Sequence, residues 1–484
     1  MATTALPGAR ALPHSAGRAT LPRSPVPAVA GGAGCAAVLA SSAWLAVAAA
    51  AGPSQLSPPT RRPGGDVGWL LGPLHGVLVW PVGSVADLHR WLLVATAVAT
   101  GGWILAWAGA PALGTRVVLG VSGAAQALLL LGPPQPLTDV FNYVLYGRMD
   151  ALYGLNPYRV APRLALGDPV YGLANWHGLR SPYGPLFTLA FAGLGHLPTA
   201  ADLWTWKVVV GVSSVATVAL TASMARRLGR DPARAAVLLG LSPVLLLAEV
   251  GGEHQDAPAL LCVVAAAWCL VRGRGAVSSV RLDAAAGALV VLAAAIKPSL
   301  AIVAPVVVLG ATRRPWALTG LAGAGVVAGL ADLVAFGGAT PDLATQASLV
   351  TPLSLPNLLG LADGHGGADA AVRGAARVIL EGVVVLASAR VFLRRDRALP
   401  AMAVVLVAAV LALPWVMPWY LVWALPFLAL ARARIGVPVA VVVAVWLIVG
   451  GLPQETAILH WAGYVPTHHA TGLENHEVVE NLLR

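Results

Sequence analysis

Between Val26 and Gly451 the chain is a succession of apolar runs of 13 to 25 residues, divided by short turns that carry either arginines or acids and histidines. About 20 such residues as a helix cross about 30 Å of hydrocarbon. In lipid only helices and closed barrels satisfy their own backbone groups. With 58% hydrophobic and 11% charged residues and a mean hydropathy of +0.76, the chain is more apolar than one water-soluble core requires. The fold class expected is therefore all-α, a polytopic transmembrane helix bundle. The net charge of +10 and pI near 10.1 come from short arginine clusters between apolar runs. They form no continuous basic face, so the bilayer and not nucleic acid is the partner. Cys262 and Cys269 lie seven residues apart on one expected helix, roughly 10.5 Å along its axis, too far for a disulfide between them.

Arginines cluster at Arg226–Arg234, Arg272–Arg281, Arg313 and Arg314, Arg394–Arg397, and Arg432 and Arg434, which assigns those turns to the cytoplasm. The turns 249–256, 337–371 and 452–483 contain no arginine or lysine and face outward. Threading the chain through these constraints gives about thirteen spans: 27–51, 90–110, 117–134, 206–225, 235–249, 257–271, 283–296, 299–312, 316–336, 371–393, 399–414, 419–431 and 436–451. Residues 1–26 read as a disordered cytoplasmic leader, 27–452 as one transmembrane domain with a large outer loop at about 134–205, and 453–484 as an extracytoplasmic tail. The stretches 67–86 and 183–198 are expected to lie along the interface or re-enter. Short surface helices are expected on the outer loop.

Ionisable and aromatic side chains gather in that loop. Asp139 follows three prolines and opens a helix in which Tyr143, Tyr146, Gly147 and Asp150 recur at spacings of three and four. Its carboxylate is placed to take a proton from an alcohol or to bind a metal holding a phosphate, although a helix N-cap uses the same residue type. Asn156-Pro157-Tyr158-Arg159 and Ser181-Pro182-Tyr183-Gly184-Pro185 form turns whose aromatics suit a sugar face. Arg148, Arg159, Arg163 and Arg180 break the charge rule, as anion-binding residues would; pairing with Asp150 or Asp168 is the plainer role.

Glu253, His254 and Asp256 crowd one tight outer turn at the edge of hydrocarbon, a costly arrangement unless it serves a site. Lys297, one of two lysines in the chain, occupies the apex of an apolar hairpin before Pro298, a place suited to an anion. Asn357, in Ser354-Leu355-Pro356-Asn357, and Trp415, Trp419 and Tyr420 in a proline-bracketed turn complete the set. His468, His469 and His476 lie among Glu474, Glu477 and Glu480, the composition of a solvated tail.

Taken in order, Asp139-Val140-Phe141-Asn142-Tyr143, Gly154-Leu155-Asn156-Pro157-Tyr158, Pro182-Tyr183-Gly184-Pro185, Gly251-Gly252-Glu253-His254-Gln255-Asp256, Pro352-Leu353-Ser354-Leu355-Pro356-Asn357 and Pro414-Trp415-Val416-Met417-Pro418-Trp419-Tyr420 resemble the actinobacterial polyprenol-phosphate-mannose-dependent α-1,6-mannosyltransferases. These are GT-C class membrane glycosyltransferases. The resemblance covers about residues 115 to 450, and Gln255 stands where the family often has asparagine.

The resemblance implies a GT-C-like bundle in the plasma membrane with its active site on the extracytoplasmic side. It also implies a polyprenyl-phosphate-linked sugar donor and a glycan or glycolipid acceptor. Asp139 would be the base of an inverting transfer. Arg148, Asn156, Tyr158, Arg159, Tyr183, Glu253, His254, Asp256, Lys297, Asn357, Trp415, Trp419 and Tyr420 would bind substrate, Lys297 and the loop arginines by holding phosphate. The resemblance fixes no cofactor, and a divalent metal is compatible with the acids. Alternatives are another polyprenyl-phosphate sugar such as arabinofuranose, or, from a different class, a lipid or solute transporter. A transporter would carry charges at mid-span and repeated broken helices.

Overall fold

The structure, a computed structural model, describes residues 26–51, 68–77, 85–135, 139–274, 279–465, 468 and 470–483. The leader read at 1–26, Val26 apart, and much of 67–86 lie outside the described residues. The described residues form helices and no β-strand. Five helices are long and apolar enough to cross a membrane: Val26–Ala50, His89–Leu113, Thr199–Arg227, Asp256–Gly273 and Arg314–Phe336. A sixth span is formed if the pair Pro232–Gly240 and Val244–Val250, bent by 42°, counts as one.

The thirteen spans read from hydropathy are thus not all reached. Thr115–Leu131, Pro298–Gly310 and Arg434–Gly450 are apolar but shorter. Ala370–Leu393 is long enough but carries Arg373, Arg377, Glu381 and Arg390. The run at 183–198 forms the ten-residue helix Pro185–Leu194, about 15 Å long, half of what a crossing requires.

Small residues let the long helices close on one another, as lipid gives apolar side chains no drive to associate. Gly31 and Gly34 meet Gly102, Ala106 and Gly109 backbone to backbone. Gly287 and Gly320 likewise face the carbonyls of Ala317 and Ala284, joining Ser279–Ile296 to Arg314–Phe336. The bent pair has a local cause: Pro243 cannot continue the hydrogen-bond ladder, and Val244–Val250 widens into a π-helix. That wider turn delivers the chain to Gly251–Asp256.

The arginine-bearing turns touch one another, and the arginine-free turns do so as well. Among the arginine-bearing turns, an Arg274 guanidinium nitrogen donates to the Arg395 carbonyl (3.2 Å), Arg395 to Thr312 (2.9 Å) and Arg314 to Phe392 (2.8 Å). Arg230 reaches the carbonyl of Ala431. At the other end Arg180 pairs with Asp342 at 2.9 Å, Thr351 N donates to Pro414 O at 2.9 Å, and Gly178 N donates to Leu482 O at 2.7 Å. Ala470–Leu483 is a helix that keeps Glu474, His476 and Glu477 exposed, while its Asn475 both accepts from Val350 N (2.7 Å) and donates to Val350 O (3.0 Å).

Candidate active site

The helix expected at Asp139 forms over Asp139–Tyr153, and every residue from Val140 to Met149 is buried. Its burial follows from its side chains: Tyr143 stands edge-on to Tyr183 (4.9 Å), Phe187 (5.0 Å) and Trp206 (6.4 Å). Gly147 lies against the backbone of Phe191, where any side chain would collide. Asn142 Oδ1 accepts from the amides of Asn175 and Trp176, both at 3.2 Å, and its Nδ2 donates to Trp176 O. The returning loop is thereby pinned so that Trp176 Nε1 donates to Asp139 Oδ1 at 3.1 Å.

The other oxygen of Asp139 lies 3.7 Å from His254 Nδ1, which is also 3.4 Å from the Tyr143 hydroxyl. Trp419 stacks on the imidazole with centroids 3.6 Å apart and planes 10° from parallel. His254 Nε2 is buried without a hydrogen-bond partner and its residue lines a cavity of about 770 Å³. Burial, reinforced by the nearby Lys297 charge, holds His254 well below the ordinary histidine range, so the ring is neutral. Burial also raises the Asp139 carboxyl above its ordinary value, although the Trp176 hydrogen bond and the Lys297 charge pull the other way.

Lys297 Nζ donates to Asp256 Oδ2 at 3.2 Å and sits 4.6 Å above the Tyr420 ring and 5.7 Å from Trp423. Trp423 Nε1 fills the remaining Asp256 oxygen at 2.6 Å. Burial opposes the charge on Lys297, but Asp256 and its other neighbours outweigh it, and its ammonium titrates above the ordinary range. The hairpin carrying Lys297 is tied to the loop by Gly184 N donating to Ile296 O at 3.0 Å. Asp139, His254, Asp256, Lys297, Trp419 and Tyr420, read separately from the sequence, thus form one connected group. Tyr183 adjoins it through Tyr143, and Trp415 through an edge contact to Trp176 at 5.9 Å.

The remaining candidates do other work. Arg148 pairs with buried Asp168 at 2.9 Å, and Tyr153 donates to the same oxygen at 2.8 Å. Asn156 shapes its turn, accepting from Tyr158 N and donating to Phe336 O. The Tyr158 hydroxyl donates to Tyr183 O at 2.9 Å and accepts from Thr188 Oγ1 at 2.8 Å, and Arg159 reaches Gly337 O at 3.3 Å. Asn357 holds Pro352 O and Ala368 N within its own loop and donates to the Tyr464 hydroxyl beyond it.

Glu253 turns away from His254 and pairs with Lys207 at 3.2 Å. Sequence reading passed over Trp176, Trp423 and Lys207. Only Lys207 carried a signal, as the second of two lysines and an ionisable residue inside an apolar run. Among the described residues no three His, Cys, Asp or Glu side chains converge as a metal site would require.

The cavity below His254 is lined by Leu45, Leu92, Leu247 and Ile448 as well as by Trp415, Met417 and Trp419. An ionic group at one end of an apolar helix bundle, with an apolar hollow beside it, defines an integral membrane protein. Residues 28–313 match the family model described as "Alpha-(1->6)-mannopyranosyltransferase, N-terminal domain", and residues 344–473 match the "MptB C-terminal domain". The chain belongs to this alpha-(1->6)-mannopyranosyltransferase family.

A probable alpha-(1->6)-mannopyranosyltransferase of Mycolicibacterium smegmatis is 33% identical over 154 residues, covering 30% of this chain and 27% of that protein. An alpha-(1->6)-mannopyranosyltransferase of Mycobacterium tuberculosis is 32% identical over 136 residues, covering 27% of this chain and 23% of its own length. The chain therefore aligns with well under half of each curated relative. No solved structure matches it.

Proposed function

We propose that this chain transfers mannose from polyprenyl-phosphate mannose to a hydroxyl of a cell-envelope glycan or glycolipid, forming an α-1,6 linkage with inversion at the outer face of the plasma membrane. The observation that carries the reading is the Asp139 carboxylate, held by Trp176 beside neutral His254, which lines an apolar cavity. Family membership supports the sugar and linkage.

In this reaction Asp139 takes the proton of the acceptor hydroxyl as its oxygen bonds to the anomeric carbon. The bond from that carbon to the phosphate oxygen breaks, and polyprenyl phosphate leaves with the electron pair. One displacement converts a β-linked donor into an α product, with no covalent enzyme intermediate. Lys297 contributes at a distance, because its charge favours ionised Asp139 and neutral His254. His254 Nε2 is buried with no protein partner.

The test is transfer of radiolabelled mannose from polyprenyl-phosphate mannose in membranes holding equal amounts of wild type and Asp139→Asn. Loss of a general base should lower the rate by roughly 100-fold or more. Equal rates would remove Asp139 from the role, and no transfer by wild type would discard this donor.

A further inference from the structure

Lys207 takes no part in that chemistry, yet it is 1% exposed and has every donor direction occupied. Its Nζ donates to Leu130 O at 3.1 Å and to Gly132 O at 2.5 Å, the carbonyls that end the helix leading into the Asp139 segment. It also pairs with Glu253 Oε1 at 3.2 Å and lies 4.2 Å over the Trp204 ring. The same two segments are joined once more, by Gln135 N donating to Gly251 O at 2.7 Å.

Glu253 is the single non-glycine with positive φ among the described residues, at 58°. A left-handed conformation costs a residue with a Cβ about 1 kcal/mol or more and persists only where its surroundings over-determine it. Here they do, because Trp206 Nε1 holds the Glu253 carbonyl at 2.8 Å while Lys207 holds its carboxylate. The adjacent residue in the chain is His254.

We propose that Lys207 and Glu253 form a buried bracket that sets the distance between Asp139 and His254, Lys207 being a positioning residue for the transfer. The bracket ties the helix end at Leu130–Gly132 to the Glu253 turn, so one ammonium joins the two sides of the site beside the Gln135–Gly251 bond. This rests on the function proposed above for its kinetic consequence, though not for its geometry.

Lys207→Met, Glu253→Gln and the double variant of the full chain, purified in lipid nanodiscs, test it through kcat, KM for polyprenyl-phosphate mannose, and thermal unfolding. Each single variant should lower kcat about tenfold per folded molecule, as small misplacements of reacting groups do, with donor KM within about twofold. The double variant should lose no more than the worse single one, because both remove the same bracket. Unchanged kcat in folded protein, or losses that multiply, would overturn the proposal.

A second arm reads geometry without turnover: diethyl pyrocarbonate labelling of His254, resolved by mass spectrometry. His254 should be protected in wild type and labelled in both single variants. Should wild type not use this donor, labelling alone decides, since a protected His254 in the variants overturns the bracket whatever the reaction is. Glu253→Gln, nearly the same in shape as the native residue, keeps the test open if Lys207→Met does not fold.

Discussion

At the scale of single residues, the site places one lysine among carboxylates that burial alone would neutralise. Asp139 titrates above the ordinary aspartate range because burial outweighs Trp176 and Lys297. A base works only when deprotonated, so transfer should be lost as pH falls through that raised value, higher than an exposed aspartate would give. Lys297→Met removes a charge that lowers Asp139, and the acid limb of the rate profile should move further toward neutral pH. An unmoved limb in rates measured from pH 5 to 9 would assign the titration to another group.

Glu253 follows the same logic in stability. Burial, only partly offset by Lys207, raises its carboxyl to about 7 from 4.5. The folded state then holds a proton that the unfolded state has lost between those values, so this group's contribution to stability falls as pH rises through that window. Unfolding temperatures of wild type should decline from pH 5 to 7.5 relative to those of Glu253→Gln. Asp139, His254, Asp256 and Lys297 were legible in the sequence because charge in an apolar chain is conspicuous. Trp176 and Trp423 were not, since nothing local distinguishes a tryptophan that caps a carboxylate from one that sits at a membrane interface.

At the scale of elements, turns and helix ends followed local chemistry closely. Asp231, Asp342 and Asp369 each cap the helix that follows, accepting from Ala233, Thr345 and Val372 amides respectively. Hydropathy proved a poorer guide to spans, as a stretch such as 419–431 splits into Pro418–Trp423 and Leu425–Ala429. Pro418 and Pro426 each interrupt the backbone ladder there.

Of the loop arginines, Arg148 finds Asp168, a partner the sequence offered, whereas Arg180 finds Asp342, which only folding brings near. Close helix pairs make a sharper prediction. A Cβ at Gly287 has no room against Ala317, so Gly287→Val should force the pair apart at a cost of about 1–3 kcal/mol. A drop in unfolding temperature checks this, with the exposed Gly329→Val as the neutral control, since no atom lies near its Cβ position.

At the scale of the whole molecule, the final helix closes the cavity wall with Asn475 and Val479. Deleting residues 470–484 should leave the membrane bundle assembled but reduce transfer at least tenfold, by admitting water beside His254. Equal activity of the shortened chain would assign this helix to packing alone. The general class of the protein was legible from composition, whereas this closure was not, because the contacts that anchor the exposed, glutamate-bearing helix, to Val350 and Gly178, lie far off in sequence.

The hollow under His254 also has a consequence for measurement. Its far wall is made by Leu45, Leu92 and Leu247, side chains of helices that stand in hydrocarbon. A ligand that enters by that route is met by lateral diffusion in two dimensions, so its availability is a surface density. Saturation curves should therefore collapse onto one line when plotted against the mole fraction of donor in the bilayer. Diluting the membrane with inert lipid would slow the protein at constant bulk concentration, whereas adding buffer would leave it untouched.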